Sequence, residues 1–241
     1  MLNIRTNRKS LFIALYLHLF IYTAYLTTKF IIDQNLLFPF LDIEWLPISI
    51  ETWLMTVIPA LILVKLFEKE LYISLKDMFT HKIKLKTFLW YFIPILLYFV
   101  IGFIGKKYFN LDLIGHQLRE FTGVKECLYS FSKVGWWILV HTAIPEEMMN
   151  RALMLNAFMG NAPTKNREVK AIIISSILFA LTHFPSYIFV YKYSIPMILS
   201  NFITIFVIGC IFGTMFLKSK NIIFPILMHC LWDAVMYTFF T

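Results

Sequence analysis

The chain has 241 residues, 59% of them hydrophobic and only 15% charged, with a mean hydropathy of +0.72. Soluble domains hold about 45–50% apolar residues, so this composition excludes an ordinary soluble domain and points to one polytopic membrane domain. The net charge of +8 does not signal nucleic acid, because Lys and Arg cluster just outside apolar runs, as the positive-inside rule expects.

Taken in chain order, the apolar runs long enough to span a bilayer are 11–32, 47–67, 87–105, 134–157, 170–190, 196–217 and 221–240. Lipid cannot satisfy an open backbone, so every span is expected to be helical. The fold class is therefore all-α, a transmembrane bundle of about seven to eight helices. The first run follows Arg5, Arg8 and Lys9. It is longer than a signal-peptide core and lacks an A-x-A-like exit, so it reads as an uncleaved span. Pro59, Pro94 and Pro145 lie inside runs, where each removes a backbone donor and kinks the helix or frees a carbonyl. The stretch "LFEKELYISLKDMF" reads as a solvated, interfacial helix.

Four basic groups fall on one side of a seven-span chain whose N-terminus is cytoplasmic. They are Arg5/Arg8/Lys9, the five lysines between Lys69 and Lys86, Lys165/Arg167/Lys170, and Lys218/Lys220. The loop 106–133 disagrees, carrying Lys106, Lys107, Arg119, Lys125 and Lys133 on the opposite side. Leu111, Ile114, Leu118 and Phe121 within it have helical spacing, which suggests a helix lying in the interface or an eighth, re-entrant segment. Cys127, Cys210 and Cys230 show no CxxC spacing and read as small apolar residues rather than a thiolate metal site.

The second half carries the ionisable groups. A charge at the bilayer centre costs about 2.5–3.5 kcal/mol even on a lenient scale. Yet "HTAIPEEMMNRALM" places Glu146, Glu147 and Arg151 in the fourth run, with His183 in the fifth and His229 and Asp233 in the seventh. Glu147/Arg151, Phe179/His183 and His229/Asp233 are each i, i+4 and share a helix face. Glu146 lies about 100° around the helix from Glu147, so one carboxylate can face inward while the other pairs with Arg151. At about 1.5 Å per residue, Glu146, His183 and His229 fall at similar mid-bilayer depth, and a shared polar cavity accounts for that. His18 and His141 read as interhelical donors, with His141 about 140° from Glu146. Phe179 reads as cavity-wall packing, Asn201 as interhelical glue with a supporting role near the site as the alternative. Gly209 and Gly213 form a GxxxG that packs helices closely.

"EEMMNR", "FALTH" and "HCLWD" are EExxxR, FxxxH and Hxxx(N/D) motifs on successive apolar segments. In this order they resemble the CPBP intramembrane protease family, also called the Abi or CAAX-protease family. The resemblance covers roughly 130–240 and divides the chain into N-terminal helices and interfacial segments, 1–130, and a catalytic transmembrane core, 131–241. It implies an endopeptidase for membrane-associated peptides or proteins, including bacteriocin or signalling-peptide processing and self-immunity. Glu146 would be the general base, His183 would help hold the water, and Glu147 would orient or share the proton with Arg151 pairing its charge. His229 and Asp233 would stabilise the oxyanion, or His229 would join a metal site. Glu146, His183 and His229 are the ligand set that a divalent metal such as zinc would take; a metal-free glutamate mechanism is the alternative. The A+T-leaning residue usage suggests a bacterial cell membrane. A non-proteolytic immunity or regulatory scaffold and an ion-coupled transporter are the rival classes.

Overall fold

The computed structural model describes residues 7–31, 50–109, 119 and 123–239. Among these there is no strand. The helices are α1 (Arg8–Ile31), α2 (Ile58–Leu66), α3 (Leu75–Thr80), α4 (Leu85–Phe109), α5 (Val124–Ile138), α6 (Ile144–Glu147), α7 (Asn156–Met159), α8 (Lys165–Leu181), α9 (Ile195–Ser219) and α10 (Ile223–Phe239). Each of the seven expected spans has a helical counterpart. Three of the described stretches are long and apolar enough to cross a membrane: α4, Lys165–Val190 and α9. The interfacial helix expected around 111–121 lies outside the described residues.

From Val124 to Met159 the chain winds without a non-helical residue, beginning ten residues before the expected span. Two π-helical stretches, Leu139–Ala143 and Met148–Leu155, separate α5, α6 and α7. The first has a clear cause. Pro145 supplies no N–H, and the Ile144 N–H before it bonds back to the Leu139 carbonyl, skipping Val140. The Trp53 indole N–H then takes the Val140 carbonyl at 2.9 Å, so no acceptor is wasted in an apolar interior. The same device precedes Pro59, where Ile58 N–H reaches Trp53 O across a π-turn, Trp53–Val57. Pro94, by contrast, is carried inside α4 without ending it. All eight residues Met148–Leu155 are buried, as befits the central helix of a bundle.

The basic groups read from sequence meet at one end of the bundle. Arg8 donates to Phe158 O (3.2 Å) and Asn161 to Lys69 O (3.0 Å). The turn after α9 is tied to the end of α3, Ile222 N–H donating to Met78 O at 2.8 Å. Gly160 ends α7 at φ +61°, and a Cβ there would collide with the Arg8 guanidinium. Lys107, at the far end of α4, sits over the rings of Phe103 and Tyr108 (5.4 and 5.6 Å), which accommodates a cation on the supposedly uncharged side.

The stretch 66–80 is not one helix. A 3₁₀ turn, Glu68–Glu70, leads into extended backbone at Leu71 and a new helix, α3, capped by Ser74, whose hydroxyl accepts the Asp77 N–H at 3.1 Å. Asn156 breaks the run: its amide clamps the Ile73 backbone, accepting Ile73 N–H (2.8 Å) and donating to Ile73 O (2.9 Å). Asn156→Ala would leave both groups unpaired in a buried site. It is expected to destabilise the protein by about 2–4 kcal/mol, read from unfolding of the purified protein in mixed detergent micelles.

Candidate active site

The central helix, α8, α9 and α10 bring the expected polar residues together. Glu147 is the anchor. Its side chain is fully buried and pairs with Arg151, Nε to Oε2 3.1 Å. Its other oxygen accepts the Nδ1–H of His229 at 2.9 Å. The Arg151 guanidinium lies over the Phe179 ring at 4.6 Å and near Phe212 at 5.8 Å. Its Nη2 donates to Gly209 O at 3.4 Å, while Nη1 is buried without a hydrogen-bond partner. Stacking on two rings compensates part of the desolvation that such a cation suffers.

Glu146 differs in surroundings. Its side chain keeps 23% exposure against none for Glu147. Its nearest ionisable partner is His229 Nε2 at 3.8 Å, and Asp233 Oδ2 lies 3.4 Å from the same nitrogen, 19% exposed. His229 thus meets carboxylates at both ring nitrogens, and both nitrogens are placed to donate. Glu147, rather than Asp233, orients the ring through Nδ1.

His183 does not lie inside a continuous helix. Pro185 supplies no N–H, and α8 stops at Leu181. The His183 N–H turns to Ala180 O (3.3 Å), while its ring Nδ1 takes the Phe179 carbonyl at 3.0 Å. A carbonyl only accepts, so Nδ1 carries the proton and Nε2 is left as an acceptor. His183 lies within electrostatic reach of Glu146. Phe179, 2% exposed, packs edge-on to His183 (5.1 Å) and His229 (6.4 Å). One ring therefore braces both histidines and the arginine.

GxxxG serves close packing, as expected. A Cβ on Gly209 would stand 3.0 Å from the Ser176 Cβ and 3.3 Å from the Phe179 ring, and one on Gly213 would touch Leu155 and Ile172. Asn201 stands apart, its Nδ2 donating to Met197 O in its own helix at 2.8 Å. His141 bonds Trp137 O in its own helix (2.8 Å) and stacks on that indole, and the His18 Nε2 is buried with no hydrogen-bond partner among the described residues.

Four contributors were missed. Asn150 donates to Glu146 O at 2.7 Å. Tyr187 packs against His183 (6.1 Å) and stacks on Tyr193 (5.7 Å). Tyr237 lies within electrostatic reach of Asp233 and Glu146, as does Tyr22 of Glu146. Asn150, Tyr187 and Tyr237 each follow a named site residue, Glu146, His183 and Asp233, by four positions. Extending each motif by one helical turn would have found them. The ligand set Glu146, His183 and His229 is not assembled as a metal shell, since no three His, Cys, Asp or Glu groups among the described residues are placed to hold an ion. Both histidines turn Nδ1 to protein acceptors, Phe179 O and Glu147 Oε1, which leaves the Nε2 atoms as the nitrogens available to the site.

One known family matches part of the chain. Residues 130–235 match the Rce1-like family, type II CAAX prenyl endopeptidase Rce1-like. This is the CAAX-protease relationship that the three motifs resemble, and Glu146, His183, His229 and Asp233 all fall within the matched Rce1-like segment, which spans under half of the chain. No curated protein and no solved structure matches it. The Rce1-like match and the apolar helices point to an integral membrane protein.

Removing one member of a buried ion pair strands the other. Arg151→Met is therefore expected to cost about 3–5 kcal/mol, with the double variant Glu147→Gln/Arg151→Met recovering part of that loss, a non-additivity measured by a double-mutant cycle on the purified protein.

Proposed function

We propose that the protein hydrolyses peptide bonds of membrane-associated substrates with a water activated by Glu146. The observation that carries this reading is the unequal environment of two adjacent carboxylates. Glu147 is sealed and paired with Arg151, whereas Glu146 keeps 23% exposure and meets the His229 Nε2–H at 3.8 Å. A water held between Glu146 and the accepting Nε2 of His183 gives its proton to Glu146 as its oxygen attacks the scissile carbonyl. The oxyanion that forms accepts the Nε2–H of His229, which Glu147 holds in place. Glu146 returns its proton to the leaving amine as the C–N bond breaks. Asp233 beside Nε2 balances the charge on His229 until the oxyanion forms.

The finer assignment is a bacterial membrane enzyme, N-terminus cytoplasmic, that trims bacteriocin leaders or signalling-peptide precursors. The four basic groups gathered at one end of the bundle support that orientation. The residue usage supports the bacterial source.

Glu146→Gln keeps the shape but cannot accept the proton, and is expected to lower turnover about 10²–10⁴-fold without changing expression or thermal stability. Comparison of peptide termini in membranes from cells carrying wild type, Glu146→Gln or no protein tests this directly. Termini present only with wild type support the enzyme and identify its substrate. Identical termini in all three, with the protein folded, favour the immunity-scaffold reading.

Phe179→Leu removes the aromatic face under Arg151 and beside both histidines. It is expected to reduce turnover at least about tenfold, because displacing a catalytic group by an ångström already costs up to about 10²-fold. A KM and kcat comparison checks it, with the loss falling on kcat.

A further inference from the structure

A basic concavity lies apart from the candidate active site and shares with its elements only the outermost residues of α9. It lies between the N-terminal end of α4 and the C-terminal end of α9 and encloses about 520 Å³. Lys82, Lys84, Lys86, Lys218 and Lys220 line it, and no carboxylate does. Among the described residues none of these five lysines has a carboxylate partner within ion-pair distance. Lys220 sits over the Tyr72 ring at 5.5 Å.

The site is held open by a rigid floor. Asn221 donates through Nδ2 to His81 O (2.6 Å), and its own N–H bonds the Ser219 hydroxyl (3.2 Å). Lys220 occupies the left-handed region at φ 54°, a conformation that non-glycine residues adopt only at a cost of about 1–2 kcal/mol. The N-terminus of the 25-residue α4 opens onto the same concavity and has no acidic residue in its first turn, so its dipole adds to the positive field. Five ammonium groups and a helix N-terminus around one cavity repel each other unless an anion enters.

The position selects the anion. Both α4 and α9 are long and apolar enough to cross a membrane, and the cavity sits where both emerge at the same end. That is headgroup level. Trp90 lines the cavity and is 73% exposed, with Leu85 and Leu89 also exposed on α4. Tryptophan favours this interfacial level, and the leucines offer an acyl chain an apolar wall. We propose that this cavity binds the phosphate of an anionic phospholipid, its acyl chains lying along α4 beside Trp90.

The test uses the full-length chain in phosphatidylcholine vesicles that contain a minor fraction of spin-labelled phosphatidylglycerol or spin-labelled phosphatidylcholine. Wild type is expected to hold phosphatidylglycerol at least about fivefold more strongly, since a basic residue near an anionic surface contributes about 1 kcal/mol. The triple variant Lys84→Gln/Lys86→Gln/Lys220→Gln should lose that preference. A charge-matched control, Lys69→Gln/Lys165→Gln/Lys170→Gln, should keep it. Inorganic phosphate at constant ionic strength should not displace the labelled lipid. Equal retention of the two lipids, an unchanged preference in the first triple variant or an equal loss in the control would overturn the proposal. Displacement by inorganic phosphate would overturn it in favour of a soluble phosphate ligand.

Discussion

The buried pair of Glu147 and Arg151 constrains everything around it. Two charges on one turn of a central, fully buried helix carry a desolvation penalty that their mutual attraction alone does not repay. The neighbouring helices supply the rest. Phe179 and Phe212 present ring faces to the guanidinium, the Gly209 carbonyl approaches because no side chain intervenes, and His229 donates to the far carboxylate oxygen. The contributions come from three helices, Phe179 from α8, Gly209 and Phe212 from α9 and His229 from α10, so the pair also fixes how these helices meet the central one. Gly209 is required at that crossing because a Cβ would push against Ser176 and Phe179 together.

With Glu147 neutralised, Glu146 is free for chemistry. The two carboxylates are neighbours in sequence, but one is sealed and one is open. That division needs the helix to turn sharply between two environments, and α6, which carries both, is flanked by π-helical stretches. π-Bulges gather at functional sites because they re-aim side chains and release carbonyls. Here the carbonyl released at the first π-helical stretch does not stay empty, since the Trp53 indole takes Val140 O, and at the end of α8 Phe179 O accepts from the Thr182 N–H and hydroxyl as well as the His183 ring. In an apolar medium irregular backbone survives only where such partners exist. The groups that repair the helix breaks are thus also the groups that orient the site. His183 shows this most directly, because the bond that repairs the end of α8 also selects its tautomer.

A different logic governs the basic end of the bundle. There the chain is stitched by neutral hydrogen bonds to backbone, from Asn156, Asn161 and Asn221, while the five lysines of the basic cavity have no carboxylate partner among the described residues. The amides hold the connections rigid at the point where helices leave the apolar layer. The charges are left to interact with what lies outside.

The sequence by itself determined the helical class, the apolar runs that the helices occupy, the common end for the basic groups and the polar constellation. Apolar length and i, i+4 spacing are local properties, and a charge in lipid is costly enough to mark its position without any contact being known. Glu146, Glu147, Arg151, Phe179, His183, His229 and Asp233 were legible on that ground, and the Rce1-like match falls on the same segment. Asn201 was not separable from them, because an amide in a span reads the same whether it bonds its own helix or another. Only the tertiary structure decided that Glu147 rather than Asp233 orients His229, and that Asn156 breaks the stretch after α2. It also decided that α8 stops at Leu181, just before His183, and that the lysines of two distant segments line one cavity. Each of these depends on which helices touch and at what distance, and hydropathy carries no information about that.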